Sequence, residues 1–361
     1  MQSAQPSPPA SRADLLHPLG VTSYHFTYCY DHPLQCIANR YTCEQTSESS
    51  SAGKKSYTIL LAGGISFNEP TYLPVIKELF RLSNHPSSRT HIHSIWNLER
   101  PDHGDSGVMN EKTLREHYRS EVRSLEYAQA IRTFLEKDFL SFTERKNLVG
   151  LGHSGGCGSI MQALELAGYT PKDKPPFFSF IFAELPLVSY DAQKFFMMLW
   201  KAIERSNLRR PSNWDSKQSA MNWMMTHFPW QTLHPDVLRI VEETYFRPDP
   251  VYPHRITTKT AIEQETMNYL SDMSHLSALS YLRTILHVIP TYVVLGSKKD
   301  IWPPPIYEMM EKNVQQDLAS YAAVKMVPGV GHYYPLTHPA QFSAEIFSIL
   351  NGSQTGVRSK M

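Results

Sequence analysis

The sequence predicts an α/β protein: a mostly parallel sheet flanked by helices, with a helical lid inserted between two core strands. Three observations predict it. Apolar runs that read as buried strands alternate with segments of helical spacing: "SYTILLAGG", "NLVGLGH", "FFSFIFAELPLVS", "PTYVVLGSKKDIWPP" and "YAAVKMV" are the runs. One run passes through Gly152-His153-Ser154-Gly155-Gly156 into a helical pattern that ends at Gly168. Between Leu187 and about Ile289 this rhythm breaks, and roughly a hundred residues read as helices and loops rich in Met, Trp, Tyr and Phe.

Taken in order, residues 1–20 are rich in Pro and Ser and are expected to be loose. "VTSYHFTYCY" and "LQCIANRYTC" alternate apolar and polar residues about "DHP" and read as an antiparallel hairpin. After the strand "SYTILLAGG", "TYLPVIKELFRL" reads as a helix and "IHSIWNLERPDHGDSG" as a strand with a polar loop. A long helical pattern runs from about Glu111 to Leu140. The division expected is a core of residues 21–186 and 290–350, a lid of 187–289 and a flexible tail of 351–361. In the lid, "QKFFMMLWKAIERS", "AMNWMMTHFPW" and "PDVLRIVEETYF" are the helical pieces.

Composition excludes more than it selects. The chain has 361 residues, is 41% hydrophobic and carries a formal charge of +1, which disfavours a nucleic-acid face. Its four cysteines, Cys29, Cys36, Cys43 and Cys157, form no C-x-x-C pair, and read as free thiols of a reducing compartment rather than a disulfide framework or zinc site. No metal and no cofactor are expected. The N-terminus lacks the basic-then-apolar pattern of a signal peptide, and no apolar run is long enough to span a membrane. The chain ends Ser359-Lys360-Met361, similar to the peroxisomal address Ser-Lys-Leu.

The chemistry is expected to centre on Ser154. A serine between a strand and a helix, with glycines two before and two after, matches a turn that lifts the hydroxyl above the sheet while strand and helix pass closely. The alternative is an ordinary glycine-rich turn that binds an anion at the helix N-terminus. A serine needs a base, and the base needs an orienting group. His332, in the glycine-flanked loop "GVGHYYPLTHP" after the last strand, is the expected base, with His338 the weaker rival; His153 is expected to point away from the serine. Asp300 and Glu184 each end a strand. An acid on the apolar run "FIFAELPL" carries a burial cost that calls for a reason.

Over Val21 to Leu350 the chain resembles α/β-hydrolase-fold proteins, on the strength of "GHSGG", "RPDHGDSG", "LGSKKDIWPP" and "GVGHYYPLTHP". With "WNLERPDHGDSGVMNE" and the Ser-Lys-Met end, it is similar to fungal peroxisomal hydrolases, a group that includes toxin-biosynthesis hydrolases and acyl-CoA thioesterases of secondary metabolism. The resemblance implies a Ser-acid-His triad, with Asp300 preferred over Glu184 as the acid. It also implies an oxyanion hole from the N–H of Gly155 and one from the loop after "LLAGG", at Ile65 or Ser66; the family's usual His-Gly there is replaced by Ala62-Gly63-Gly64-Ile65-Ser66. The expected substrate is an apolar acyl ester or acyl-CoA thioester. Met197, Met198, Trp223, Met224 and Met225 are the expected acyl contacts. Arg209, Arg210 and Lys217 are weaker candidates for phosphate contacts. A simple carboxylesterase or lipase, and a non-catalytic binding protein of the same fold, are the alternatives. The C-terminal tripeptide implies an import receptor as partner and the peroxisome as location, with the cytoplasm as the alternative.

Overall fold

A computed structural model describes residues 12–43, 53–119, 122, 124–173, 175–269 and 276–352. Strands β1 (Leu19–Cys29) and β2 (Pro33–Cys43) pair antiparallel in full register, Leu19 opposite Cys43 and Cys29 opposite Pro33. The chain continues through β3 (Lys55–Ala62), helix α1 (Leu73–Ser83), β4 (Thr90–Leu98), α2 (Ser124–Glu136), β5 (Leu148–His153), α3 (Gly155–Leu166) and β6 (Ser179–Ala183). After the lid come β9 (Thr291–Gly296), α9 (Pro304–Asp317), β10 (Ala323–Val327) and α10 (Pro339–Leu350). The eight strands lie in the order β1-β2-β4-β3-β5-β6-β9-β10, antiparallel at the first two pairings and parallel from β4 onward.

The strands are apolar throughout because both faces are covered. Successive residues divide between two cores. Leu60, Phe180, Phe182, Val293 and Leu295 face one side, with residues of α2, α3 and α9. Ile59, Leu61, Ile181 and Val294 face the other, with residues of α1 and α10. Strand order reverses at β3: its connection leads to β4 on one side, and the next returns to β5 on the other. Such a reversal opens a crevice at the carboxyl ends of the strands. The loop after β3 and the turn after β5 meet there.

The lid holds α4 (Gln193–Asn207), α5 (Lys217–Met224), α6 (Pro235–Thr244), the short antiparallel pair β7 (Phe246–Pro248) and β8 (Ile256–Thr258), and α7 (Ile262–Tyr269). Helices α4 and α6 coincide with the expected helical pieces, and α5 overlaps its piece over residues 220–224. The strand pair was not anticipated, because three residues are too few to display a period of two. Four expectations are corrected. Residues Arg12–Leu16 form a helix, and β1 begins at Leu19 rather than after residue 20. The pattern of 111–140 is broken into helices Glu111–His117 and α2. The run "FFSFIFAELPLVS" is a strand only over Ser179–Ala183. The lid does not extend to residue 289: α8 (Ser277–Ile285) belongs to the core, with Ala278 beside Gly158 and the Tyr281 hydroxyl donating to the Tyr169 carbonyl at 3.0 Å. Among the described residues all four cysteines are free and no helix is long and apolar enough to cross a membrane.

Candidate active site

Ser154 stands between β5 and α3 with φ 53° and ψ −124°, a conformation an L-residue takes only under constraint. The constraint is close packing. A Cβ at Gly156 would stand 2.1 Å from the Ala62 carbonyl oxygen, and one at Gly152 would stand 2.6 Å from the Cys157 Cα. Only glycine lets α3 lie this close to β3 and β5. The three non-glycine residues of positive φ in the described chain, Ser66, Ser154 and Glu184, all end core strands or their loops at this crevice.

His332 follows β10, and its Nε2 lies 2.8 Å from Ser154 Oγ. Glu184 ends β6. Its Oε2 stands 3.5 Å from His332 Nδ1, and its other oxygen accepts the Gly296 N–H. Both side chains are buried. Asp300 is placed differently from the expectation. Its Oδ1 accepts the backbone N–H of His332 at 3.1 Å, and it presses against Gly331, where a Cβ would fall 1.8 Å from Oδ2. Asp300 therefore braces the histidine loop from the exposed side, while the carboxylate facing the imidazole is Glu184. The reason is length and strand position: β9 places Asp300 under the loop, and β6, next to the nucleophile strand, carries Glu184 to the ring. His338 is partly exposed and contacts Thr337, away from the serine.

The oxyanion loop also departs from expectation. The Ser66 N–H is taken by His103 Nε2 at 2.9 Å, so it cannot turn to a substrate. The Gly155 N–H opens a helix, where no earlier turn supplies an acceptor. No acceptor among the described residues takes the Ile65 N–H. The two residues are neighbours, for a Cβ on Gly155 would stand 3.6 Å from Ile65 Cγ1.

The fold is shared with known proteins. The sequence profile of the alpha/beta hydrolase family matches residues 59–345. The chain belongs to the alpha/beta hydrolase family. This supports hydrolysis as its chemistry. Among solved structures it is similar to the peroxisomal alpha-beta-hydrolase Lpx1 of Saccharomyces cerevisiae, at TM-score 0.70 and 14% identity over 94% of this chain and 91% of that one. It is also similar to E-2-(acetamidomethylene)succinate hydrolase, at TM-score 0.58 and 15% identity over 91% of this chain and 100% of that one. A thioesterase domain from the curacin biosynthetic pathway aligns at TM-score 0.54 and 14% identity, covering 91% and 99% of the two chains. At these identities the likeness is one of fold. No curated protein matches it in sequence.

The cavity of this hydrolase-family protein encloses about 90 Å³ beside Ser154 and His332. One face of α4 lines it: Phe196, Leu199, Trp200 and Ile203, with Trp302 edge-on to Phe196. The expected acyl contacts lie elsewhere. Met197 and Met198 are on the same helix but point outward, exposed by 47% and 69%. Met224 is buried in the core on the far face of the sheet, and Trp223 stacks on His227 with ring centroids 4.0 Å apart. Met225 is exposed. The spacing 196, 199, 200, 203 is one helical face and was the signal available in the sequence. Arg210 is engaged in a buried ion pair with Glu265 at 2.8 Å, and Lys217 lies 3.5 Å from Glu243, so neither is a free phosphate contact; Arg209 is exposed.

Proposed function

We propose that this protein is a serine hydrolase that cleaves an acyl ester or thioester through an acyl-enzyme. The observation that carries the proposal is the 2.8 Å approach of His332 Nε2 to the hydroxyl of a serine held at positive φ. Ser154 Oγ attacks the acyl carbon while His332 Nε2 takes its proton. Glu184 steadies the imidazolium that results. The N–H groups of Gly155 and Ile65 hold the oxyanion, and collapse expels the alcohol or thiol, which leaves with the proton from His332. Water then attacks the acyl-Ser154 ester with the same base, and the acid departs.

Acyl-CoA is the proposed natural thioester, and secondary metabolism of a fungal cell its setting, on the family resemblance and on Ser359-Lys360-Met361, which lie outside the described residues. The same tripeptide supports import into peroxisomes through a receptor that reads the three terminal residues. A fluorescent protein ending in "GVRSKM" tests this: diffuse cytosolic signal in a fungal cell overturns the localisation. The catalytic reading is tested by fluorophosphonate labelling and by turnover of a panel of acyl-CoAs and p-nitrophenyl esters. Wild-type protein should label and turn over; Ser154→Ala should do neither, with a loss on the order of 10⁴-fold or more because nucleophile and base act as a unit. Full activity in Ser154→Ala overturns it.

A further inference from the structure

One cationic group in the catalytic cavity has no task in this chemistry. Arg100 follows β4, is 4% exposed, and lines the same cavity as Ser154 and His332, together with Asn268 and Tyr269. Its Nη2 donates to Asn268 Oδ1 at 2.8 Å, and its guanidinium carbon stands 4.6 Å from the centre of the Tyr127 ring. Among the described residues, its Nε and Nη1 have no hydrogen-bond acceptor. Asp102 does not supply one: Nε lies 4.0 Å from Asp102 Oδ1, beyond hydrogen-bond reach. The two Asp102 oxygens are already used, Oδ1 by His103 Nδ1 at 3.0 Å and Oδ2 by Asn268 Nδ2.

Donors of a buried guanidinium left without acceptors are costly, and charge-assisted bonds to a carboxylate are among the strongest ways to satisfy them. The rest of the cavity wall is largely apolar, so a hydrocarbon chain can run along it while a terminal anion reaches the arginine. The cavity has room for an acyl chain of a few carbons between its apolar walls.

We propose that Arg100 is a specificity determinant that binds a carboxylate on the acyl group, so that the preferred substrate is a monoester or monothioester of a short dicarboxylic acid. The proposal rests on the reading of Ser154 as the acylated nucleophile. The leaving group is untouched by Arg100, and hydrolysis releases the free diacid.

The test uses the full chain and p-nitrophenyl monoesters of succinic, glutaric and adipic acid, each against the neutral ester of equal acyl length. Wild-type kcat/KM should favour one acidic ester over its neutral counterpart at least tenfold. Arg100→Gln should lower that acidic-to-neutral ratio at least tenfold, and Arg100→Lys should lower it less. Equal rates on acidic and neutral esters, or a ratio unmoved by Arg100→Gln, overturn the proposal. So does a variant that loses turnover of butyryl-CoA while keeping the hemiester preference, since Arg100 would then serve a phosphate of the leaving group. Should the variants fail to fold, wild-type protein still decides: free glutarate or adipate should slow fluorophosphonate labelling of Ser154, while 1,5-pentanediol and 1,6-hexanediol should not. Labelling slowed by no dicarboxylate overturns the proposal. Failure of the underlying reading looks different, with no labelling and no turnover of any ester, and sinks both.

Discussion

Replacing each acid by its amide separates the two roles that Glu184 and Asp300 hold around His332. In Glu184→Gln the retained Oε1 still accepts the Gly296 N–H, so the strand end keeps its bond and only the charge is lost. That charge sits 3.5 Å from His332 Nδ1 with both side chains buried. At an effective dielectric of about 20, a full imidazolium there is stabilised by roughly 5 kcal/mol. Proton transfer is incomplete in the transition state and the amide dipole recovers part, so a loss of about 3–4 kcal/mol, or about 10²–10³-fold in kcat/KM, is expected. Asp300→Asn also keeps its acceptor for the His332 N–H, but the lost charge is exposed and screened, and the loss should stay under roughly tenfold. The assay is initial rates on p-nitrophenyl butyrate, with thermal melts to show that both variants fold. A hundredfold loss in Asp300→Asn beside a near-wild-type Glu184→Gln would refute the assignment.

Gly156→Ala should prevent folding, because the new Cβ would lie 2.1 Å from a backbone oxygen in the centre of the sheet; soluble, active protein would contradict the close packing of α3 on β3. Burial pushes Glu99 up to about 8, with the Ser106 N–H and nearby carboxylates as lesser influences. A raised folded pKa gives stability that is complete below the unfolded value near 4.5 and is lost as pH rises through 8, so wild-type Tm should fall between pH 5 and 8 by the equivalent of several kcal/mol, and Glu99→Gln should flatten that slope. Trp200→Ala should change the order of preference across acyl lengths, since Trp200 lines the cavity, whereas Trp223→Ala should leave the order as it is; chain-length profiles on p-nitrophenyl esters decide, with shifts of about 1–3 kcal/mol expected.

What the sequence shows clearly is what local sterics determine. The glycines about Ser154 are demanded within five residues of it, and the loop about His332 is bounded by its own glycines, so both were visible without the fold. The strands were visible because burial on both faces makes them continuously apolar. The choice between Glu184 and Asp300 was not visible, because it depends on which strand neighbours β5, a fact of strand order with no local signal. The cavity-facing side of α4 is not legible in the sequence for a similar reason. Met197 and Met198 are as apolar as Phe196 and Trp200, and only the contact of α4 with the cavity says which face turns inward. Ser66 is excluded as an oxyanion donor by a contact 37 residues away in sequence, His103, which takes its N–H. Arg100 carried a weak signal: a charged residue at the end of the apolar strand "IHSIWNL", where burial should be deep.

The loop after β3 is held from both ends by imidazole rings. The Gly64 N–H can only donate, and it does so to the Tyr72 hydroxyl at 3.0 Å. That hydroxyl then gives its own proton to His153 Nδ1 at 2.8 Å. The His332 carbonyl can only accept, so His153 Nε2, 2.9 Å away, carries the proton. Burial, aided by His332 beside it, pushes the His153 pKa down to about 3, so the ring is neutral and its Nδ1 is left to accept from Tyr72. On the other side the Ser66 N–H donates to His103 Nε2, which requires Nδ1 to be the protonated nitrogen and to face Asp102. Burial alone would raise Asp102, yet the hydrogen bonds from His103 and Asn268 and the Arg100 charge hold it below the usual carboxylate range, so it remains an acceptor. With Gly64 and Ser66 thus tied, Ile65 between them is the loop residue whose N–H stays unclaimed, beside the Gly155 N–H at the head of α3. His153 reaches this loop through Tyr72 and the His332 loop through the His332 carbonyl, so on the proposed mechanism the residue beside Ser154 fixes the spacing between the oxyanion donors and the base. Preorganisation of this kind is what lets backbone donors act without rearrangement at the moment charge develops.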